Sequence, residues 1–515
     1  MRKITVTSEG IGWEDLAWIA RGGRAELALS PEASARIAGS RAHVAAILAT
    51  GKSVYGVNTG FGKLAKVRID AGELATLQRN LLLSHATALG DPMTEAQTRT
   101  ALVLRIANLA RGHSGVRPVL VERLVRLFNL DLLAVVPQQG SVGACGDLAP
   151  LAHLALPVIG EGDVRIEGRT VPARVALAAH GLAPLVLEAK EGLALINGTQ
   201  VSLAFLVEAL ARAENLVVLA DIAGAMSAEG LLGTDAAFDA RLVALRPHPG
   251  ARRAAENLMR LFAGSAIRDS HRDCDRVQDP YSIRCMPQVH GASRDALAHV
   301  LEVAQREAAA VTDNPLVLDD GSVLSAGNFH GQPLALAADY AAIALAELAS
   351  ISSCRIEQLV NPDLSGLPPF LVQGSGLNSG LMIAQVAAVS LVSENKVLAH
   401  PASVDSLPTS AEQEDHVSMS TFAARKLLTV AANLEKVLAI EILAASQAID
   451  YRAPLRSSPA LAAVHACVRE GVAFFEQDRY MKPAVEAVLE RVRDGRLVAA
   501  AAAHVALFGI GDATP

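Results

Sequence analysis

Five long stretches rich in alanine and leucine decide what this chain can fold into: residues 199–228, 287–311, 333–359, 377–398 and 418–450. Several exceed the usual length of a globular helix, and few of their faces carry enough charge to stay in water. Helices of this kind must cover one another, which predicts a bundle whose central members are buried on most sides. Charged residues interrupt every long apolar run, so none reads as a membrane span.

The elements before these helices are shorter. A strand is expected at residues 4–7, and Ser30-Pro31-Glu32 reads as a cap followed by a first-turn proline, opening a helix that runs to Thr50. Helical spacing continues through residues 71–85, 95–111 and 118–133, and residues 164–171 read as a hairpin turning near Glu167-Gly168. Residues 458–508 read as amphipathic cover. The expected fold is all-α: a long-helix bundle (201–515) beside a smaller N-terminal domain (1–200) with a few short strands.

Composition removes several function classes. The chain has 515 residues, 51% hydrophobic and 19% charged, as expected of a globular protein. Aromatics are only 3% and the formal net charge is −7 without a basic block, which argues against nucleic-acid and acidic-membrane partners. Five scattered cysteines without a C-x-x-C point to a reducing compartment. With no signal-peptide core at the start, a cytoplasmic protein is expected.

Against this apolar background one loop stands out: Gly140-Ser141-Val142-Gly143-Ala144-Cys145-Gly146-Asp147-Leu148-Ala149-Pro150. Its small residues let the backbone fold tightly, and Asp147 with Pro150 reads as the cap and first turn of a helix. Attack of the Gly146 amide nitrogen on the Ala144 carbonyl would close a five-membered ring with loss of water. Elimination of the Cys145 side-chain heteroatom would then leave an exocyclic methylene, an electrophile that no unmodified side chain supplies. The same residues also suit a plain glycine turn before a helix.

Other polar residues sit in glycine- or proline-marked loops. Tyr55 lies in Tyr55-Gly56-Val57-Asn58-Thr59-Gly60-Phe61-Gly62, where a phenol could act as a base or simply pack beside a turn. Arg284 could hold a carboxylate bidentately or form a surface ion pair. His85 ends an apolar helix, a position usually taken by a satisfied core residue. The Glu412-Gln413-Glu414-Asp415-His416 cluster reads locally as an acidic helix N-terminus. A phosphate loop at Gly51-Lys52-Ser53 fails, because Ala46 stands where glycine is needed. His271 and Cys274 with Asp273 and Asp275 lack a second ligand pair, so no metal is expected, and no G-x-S-x-G supports serine chemistry.

Taken together, these segments resemble the aromatic amino-acid ammonia-lyase family. The blocks are the Tyr55–Gly62 loop, Gly140 to Leu154, Glu191 to Gln200, Val277 to Gly291, Asp313-Asn314-Pro315, Gly327-Asn328-Phe329-His330-Gly331 and Ser403 to Met419. The resemblance implies a mainly helical, fumarase-like architecture, a homotetramer with shared active sites, and the electrophile 4-methylidene-imidazole-5-one (MIO) made from Ala144-Cys145-Gly146. It further implies Tyr55 as the base that takes the β-proton, and Arg284 as the clamp on the substrate carboxylate. Asn197, Gln278 and Tyr281 would hydrogen-bond the MIO or substrate, and Phe329 would pack on the MIO. His85 and Glu414 would choose the substrate. A carboxylate facing a phenyl ring would be uncompensated, whereas an imidazole can bond to it, so L-histidine is the expected substrate and trans-urocanate the product. A tyrosine or phenylalanine lyase or 2,3-aminomutase is the alternative within the family.

One position departs from the family pattern. Its tripeptide is Ala-Ser-Gly, and this chain carries Cys145 at the serine position. A thiol can leave as hydrogen sulfide, so the same ring is expected to form. The substitution is also the one feature that favours a catalytically silent paralogue.

Overall fold

The computed structural model describes residues 1–511 except 52, 273, 275 and 276. Lys52 of the rejected phosphate loop, and Asp273 and Asp275 of the rejected metal site, therefore lie outside the described residues. Helices dominate and strands are few, as expected for the all-α class. The longest are Gln200–Gly230, Met286–Ala308, Gln332–Val360 and Ser420–Asp450, close to where the long apolar stretches lie. The chain divides into two compact units, each drawing on three segments.

The first unit comprises Met1–Ala211, Glu302–Asp339 and Pro401–Lys426. Strands Arg2–Val6 and Ala25–Leu29 pair in parallel at its start. The Pro31–Thr50 helix opens as its sequence dictates: Ser30 Oγ accepts from the Ala33 amide at 3.1 Å, and Gly51 closes it in the left-handed conformation. Glu95–Ala110 starts with a full capping box between Thr94 and Gln97 and is buried from Gln97 to Ala110. The predicted helix over 118–133 is shorter, Pro118–Asn129, because Leu133–Ala134 leaves it to pair with Asp163–Ile166. That strand forms the expected hairpin with Arg169–Pro172 through a turn at Glu167 and Gly168, both at positive φ.

The second unit comprises Arg212–Leu301, Tyr340–His400 and the chain from Leu427 onward. Its core holds charges that water never reaches. The Asp221 carboxylate takes Arg294 at 2.7 Å, His290 Nδ1 at 2.8 Å and the Asn257 amide at 2.8 Å. Glu441 takes Arg355 Nε and the Ser352 hydroxyl, both at 2.5 Å. Buried ions of this kind persist only where every partner is present. The C-terminal cover includes three short helices, Pro459–Arg469, Lys482–Arg493 and Arg496–Ala502. The segment beyond them is tied down by Phe508, whose main chain exchanges two hydrogen bonds with the Asn257 side chain.

Gln332–Val360 is long and apolar enough to cross a membrane by length and composition, and 67% of its most apolar window is buried inside the protein. It is therefore a core helix.

Candidate active site

The Gly140–Pro150 loop is held by hydrogen bonds from three directions. Gly146 adopts φ +67°, and a Cβ there would lie 2.0 Å from the Gly198 carbonyl oxygen, so only glycine fits. The same turn grips both neighbours: Asp147 N–H donates to Gly198 O at 2.7 Å, and Gly198 N–H reaches Cys145 O at 3.4 Å. From a third segment, Ser418 Oγ donates to Gly143 O at 3.0 Å, and Met419 N–H to Val142 O at 2.8 Å.

Asp147 corrects the expected cap. It precedes the Leu148–Ala155 helix but makes no side-chain bond to it. Its fully buried carboxylate instead accepts from Ser202 N–H at 2.7 Å, Ser202 Oγ at 2.6 Å and Thr421 Oγ at 2.6 Å. The longer Gln200–Gly230 helix thus takes the charge at its N-terminus, where the dipole favours it. Burial pushes the Asp147 pKa upward, opposed by these donors.

Two adjoining cavities meet at Cys145. One, about 500 Å³, is lined by Tyr55, His85, Cys145, Asn197, Phe329 and Glu414 with Leu64, Leu77, Leu81, Leu148, Leu193 and Ile196. The other, about 740 Å³, shares Tyr55, Cys145, Phe329 and Glu414 and adds Ala144, Lys66, His330 and His416. Tertiary structure thus gathers eight of the sequence candidates, since Gly146 and Ala144 belong to the same loop as Cys145. Gln278, Tyr281 and Arg284 line neither cavity. They lie in the second unit, where the Arg284 guanidinium stacks 4.5 Å over the Tyr281 ring and Tyr281 is 71% exposed. Arg284 Nε has no hydrogen-bond partner among the described residues.

Glu414 is the charged centre of the first cavity. Its local reading as a helix N-terminus is corrected, because the next helix begins only at Ser420. Instead, Ser410, Ala411 and Glu412 take three consecutive left-handed conformations (φ +53°, +54°, +63°), and Thr409 pairs with Glu414 across the turn. Left-handed φ in non-glycine residues costs roughly 1–2 kcal/mol each, so this turn is strained where it carries the carboxylate. Thr409 Oγ donates to Glu414 Oε2 at 2.7 Å, and the Cys145 thiol donates to Oε1 at 3.0 Å. Burial alone would raise the Glu414 pKa, but donation from Cys145, Thr409 and Ser410, with His85 nearby, brings it below its ordinary value.

The other groups respond to the same enclosure. Burial lowers the His85 pKa, against the opposing pull of the Leu81 carbonyl and Glu414. Burial raises the Tyr55 phenol; the Gly62 N–H, 3.5 Å from its oxygen, opposes this, while Cys145 and Glu414 add to it. Burial, then the bond to Glu414 and its charge, push the Cys145 thiol far above its usual range, so the sulfur keeps its proton.

Several supporting residues carry no local signal in the sequence. Arg105, fully buried, donates to Asn197 O at 3.0 and 3.1 Å and to Ala194 O at 3.1 Å, shaping the turn that holds Gly146. Burial brings its pKa down to about 10, with Asp313 and Asp147 opposing. A buried Lys190–Asp313 pair at 2.6 Å lies next to Asn314, whose carbonyl takes Asn197 Nδ2 at 2.9 Å. Asn197 Oδ1 is buried without a partner among the described residues. For Leu77 and Leu81 the signal that could have found them is their spacing, four residues apart each time, on the helical face that leads to His85. Among the described residues no cluster of metal-ligating side chains occurs, and His271 turns both ring nitrogens onto backbone carbonyls, of Ile267 at 2.8 Å and Gly233 at 2.9 Å.

A helical fold whose cavity wall is a bare glycine-alanine loop defines a narrow class. Residues 11–470 match the family model for aromatic amino acid lyases, and the chain belongs to that family. It is 55% identical over 496 residues to the histidine ammonia-lyase of Sorangium cellulosum (strain So ce56), covering 94% of this chain and 96% of that one. The crystal structure of histidine ammonia-lyase from Trypanosoma cruzi superposes with a TM-score of 0.91 at 41% identity, over 98% of this chain and 96% of that one. A tyrosine aminomutase from Streptomyces globisporus superposes with a TM-score of 0.93 at 35% identity, over 98% and 99%.

Proposed function

We propose that this chain is a carbon–nitrogen lyase that eliminates ammonia from L-histidine to give trans-urocanate, the opening step of histidine breakdown. One observation carries the choice of substrate: the Glu414 carboxylate and the His85 imidazole, both with pKa below the ordinary value, share a cavity whose wall includes Leu64, Leu77, Leu81, Leu148, Leu193 and Ile196. A phenyl ring there would leave the carboxylate uncompensated, whereas an imidazole N–H can satisfy it.

The loop residues fit the MIO group. Ala144 is buried and small, Gly146 has the left-handed φ that ring closure needs, and the orphaned Asn197 Oδ1 is a polar atom awaiting a partner. Asn197 and the Gly198 N–H would hold the ring, and Phe329 would cover it. When present, the ring supplies an electrophilic methylene that turns the substrate amino group into a better leaving group. The chain's own groups do the rest. Glu414 and His85 orient the imidazole, the leucine wall excludes water, and Tyr55 takes the β-proton.

Gln278, Tyr281 and Arg284 would then be supplied by neighbouring copies, Arg284 holding the substrate carboxylate and Gln278 and Tyr281 hydrogen-bonding around it. The exposure of Tyr281 supports this reading, as does the Met382–Leu398 helix. Only Ala388 and Asn395 of that helix are buried, while Ile383, Val386, Val389 and Val397 are exposed. Such a face needs a cover, and a homotetramer with shared sites provides one.

The test is incubation with L-histidine while urocanate absorbance is followed, with Cys145→Ala as control, alongside the intact mass. The mass should lie one water and one hydrogen sulfide below that of the encoded chain. An unchanged mass with a titratable Cys145 thiol and no urocanate would refute the proposal.

A further inference from the structure

The Leu74–His85 helix presents Leu77, Leu81, Ser84 and His85 to the first cavity. Ser84 Oγ donates to the Leu81 carbonyl at 3.3 Å and lies 3.0 Å from His85 Nδ1. A hydroxyl has one hydrogen. Spent on Leu81, it leaves the serine oxygen as an acceptor toward the ring, which requires the hydrogen on Nδ1. The Leu81 carbonyl, which can only accept, lies close enough to the His85 ring to oppose the lowering of its pKa. With its hydrogen on Leu81, Ser84 therefore assigns the ring proton to Nδ1.

We propose that Ser84 is a positioning residue that fixes His85 as the Nδ1–H tautomer, so that the cavity meets its ligand with a bare Nε2. With the Nδ1 edge turned back onto its own helix, the Nε2 edge is what remains for the cavity. Burial keeps the ring neutral, so Nε2 carries a lone pair. Glu414 likewise only accepts. The two groups set to meet the ligand ring, His85 Nε2 and the Glu414 carboxylate, are thus both acceptors, which specifies a ligand ring that carries N–H and disfavours one that offers only lone pairs or only carbon. This deepens the histidine reading and rests on it.

The test uses the full-length protein and its Ser84→Ala and Ser84→Thr variants. The calorimetric probes are imidazole, which has an N–H, and 1-methylimidazole, which has none; L-histidine kinetics and intact mass run in parallel. The parent should prefer imidazole. Ser84→Ala should weaken imidazole binding and raise KM for histidine about fivefold, the loss of one neutral hydrogen bond, with kcat within about twofold. Its preference over 1-methylimidazole should narrow, because a released His85 can carry hydrogen on Nε2 and donate to a bare nitrogen. Ser84→Thr should restore both, and the mass should not change. An alanine variant with unaltered affinity and preference would overturn the proposal. So would equal loss for both probes with a lower melting temperature, the mark of a merely structural role. A parent chain that binds neither imidazole nor histidine would overturn the histidine reading as well, which separates the two failures.

Discussion

Cys145 and Glu414 are 269 positions apart in the chain and 3.0 Å apart in space. Their contact shows how one carboxylate serves as the polar anchor of an apolar cavity. Replacing Glu414 by glutamine keeps the shape but removes the charge. Losing a charge-assisted bond of about 2 kcal/mol should raise KM for histidine roughly thirtyfold, measured by urocanate formation across substrate concentrations. The same variant should tolerate tyrosine or phenylalanine better than the parent does. Tyr55 makes a second prediction. Burial raises its pKa, so the phenolate is the minor form at neutral pH and the rate should climb as pH rises toward the phenol's own value. A pH profile of kcat/KM should show this limb in the parent and lose it in Tyr55→Phe. That variant should also fall by about 10²–10⁴-fold, the usual worth of a positioned base.

At the level of elements, the Ser410–Glu412 turn is where local preference and position conflict. Three left-handed residues in a row are unfavourable, yet the turn closes the Thr409–Glu414 pair and so aims the carboxylate. Glu412 is exposed at φ +63°, and Glu412→Gly should stabilise the protein by about 1 kcal/mol, seen as a higher melting temperature. The helix that ends at His85 was legible from its spacing, and so was the Ser30-Pro31 start of the Pro31–Thr50 helix upstream. The partner of Asp147 was not. Sequence places an acidic residue before Leu148 and invites a local cap, but the carboxylate reaches the N-terminus of Gln200–Gly230, a choice that depends on how two helices meet.

At the scale of the whole molecule, the exposed apolar face of Met382–Leu398 is the feature to test. Ile383→Glu should break a self-association that depends on this face. Light scattering should report a smaller species, and if neighbouring copies supply Gln278, Tyr281 and Arg284 as proposed, activity should fall with it. An Ile383→Glu protein that keeps both its size and its activity would refute shared sites.

The chain's periodicity and punctuation determined the long helices, the capped starts and the bare loop around Cys145, since these depend on residues within a few turns of each other. The family pattern picked out Tyr55, His85, Asn197, Phe329 and Glu414 as members of one group. Only the tertiary structure decided what each of them touches. It brought Glu414 against the Cys145 sulfur, turned Asp147 toward Ser202, set Arg105 behind Asn197 and gave His85 its neighbour in Ser84. The reason is physical. A helix is settled by bonds between residues four apart, whereas a buried polar group is settled by whichever partner the packed core brings within about 3 Å, and that partner can come from any part of the chain.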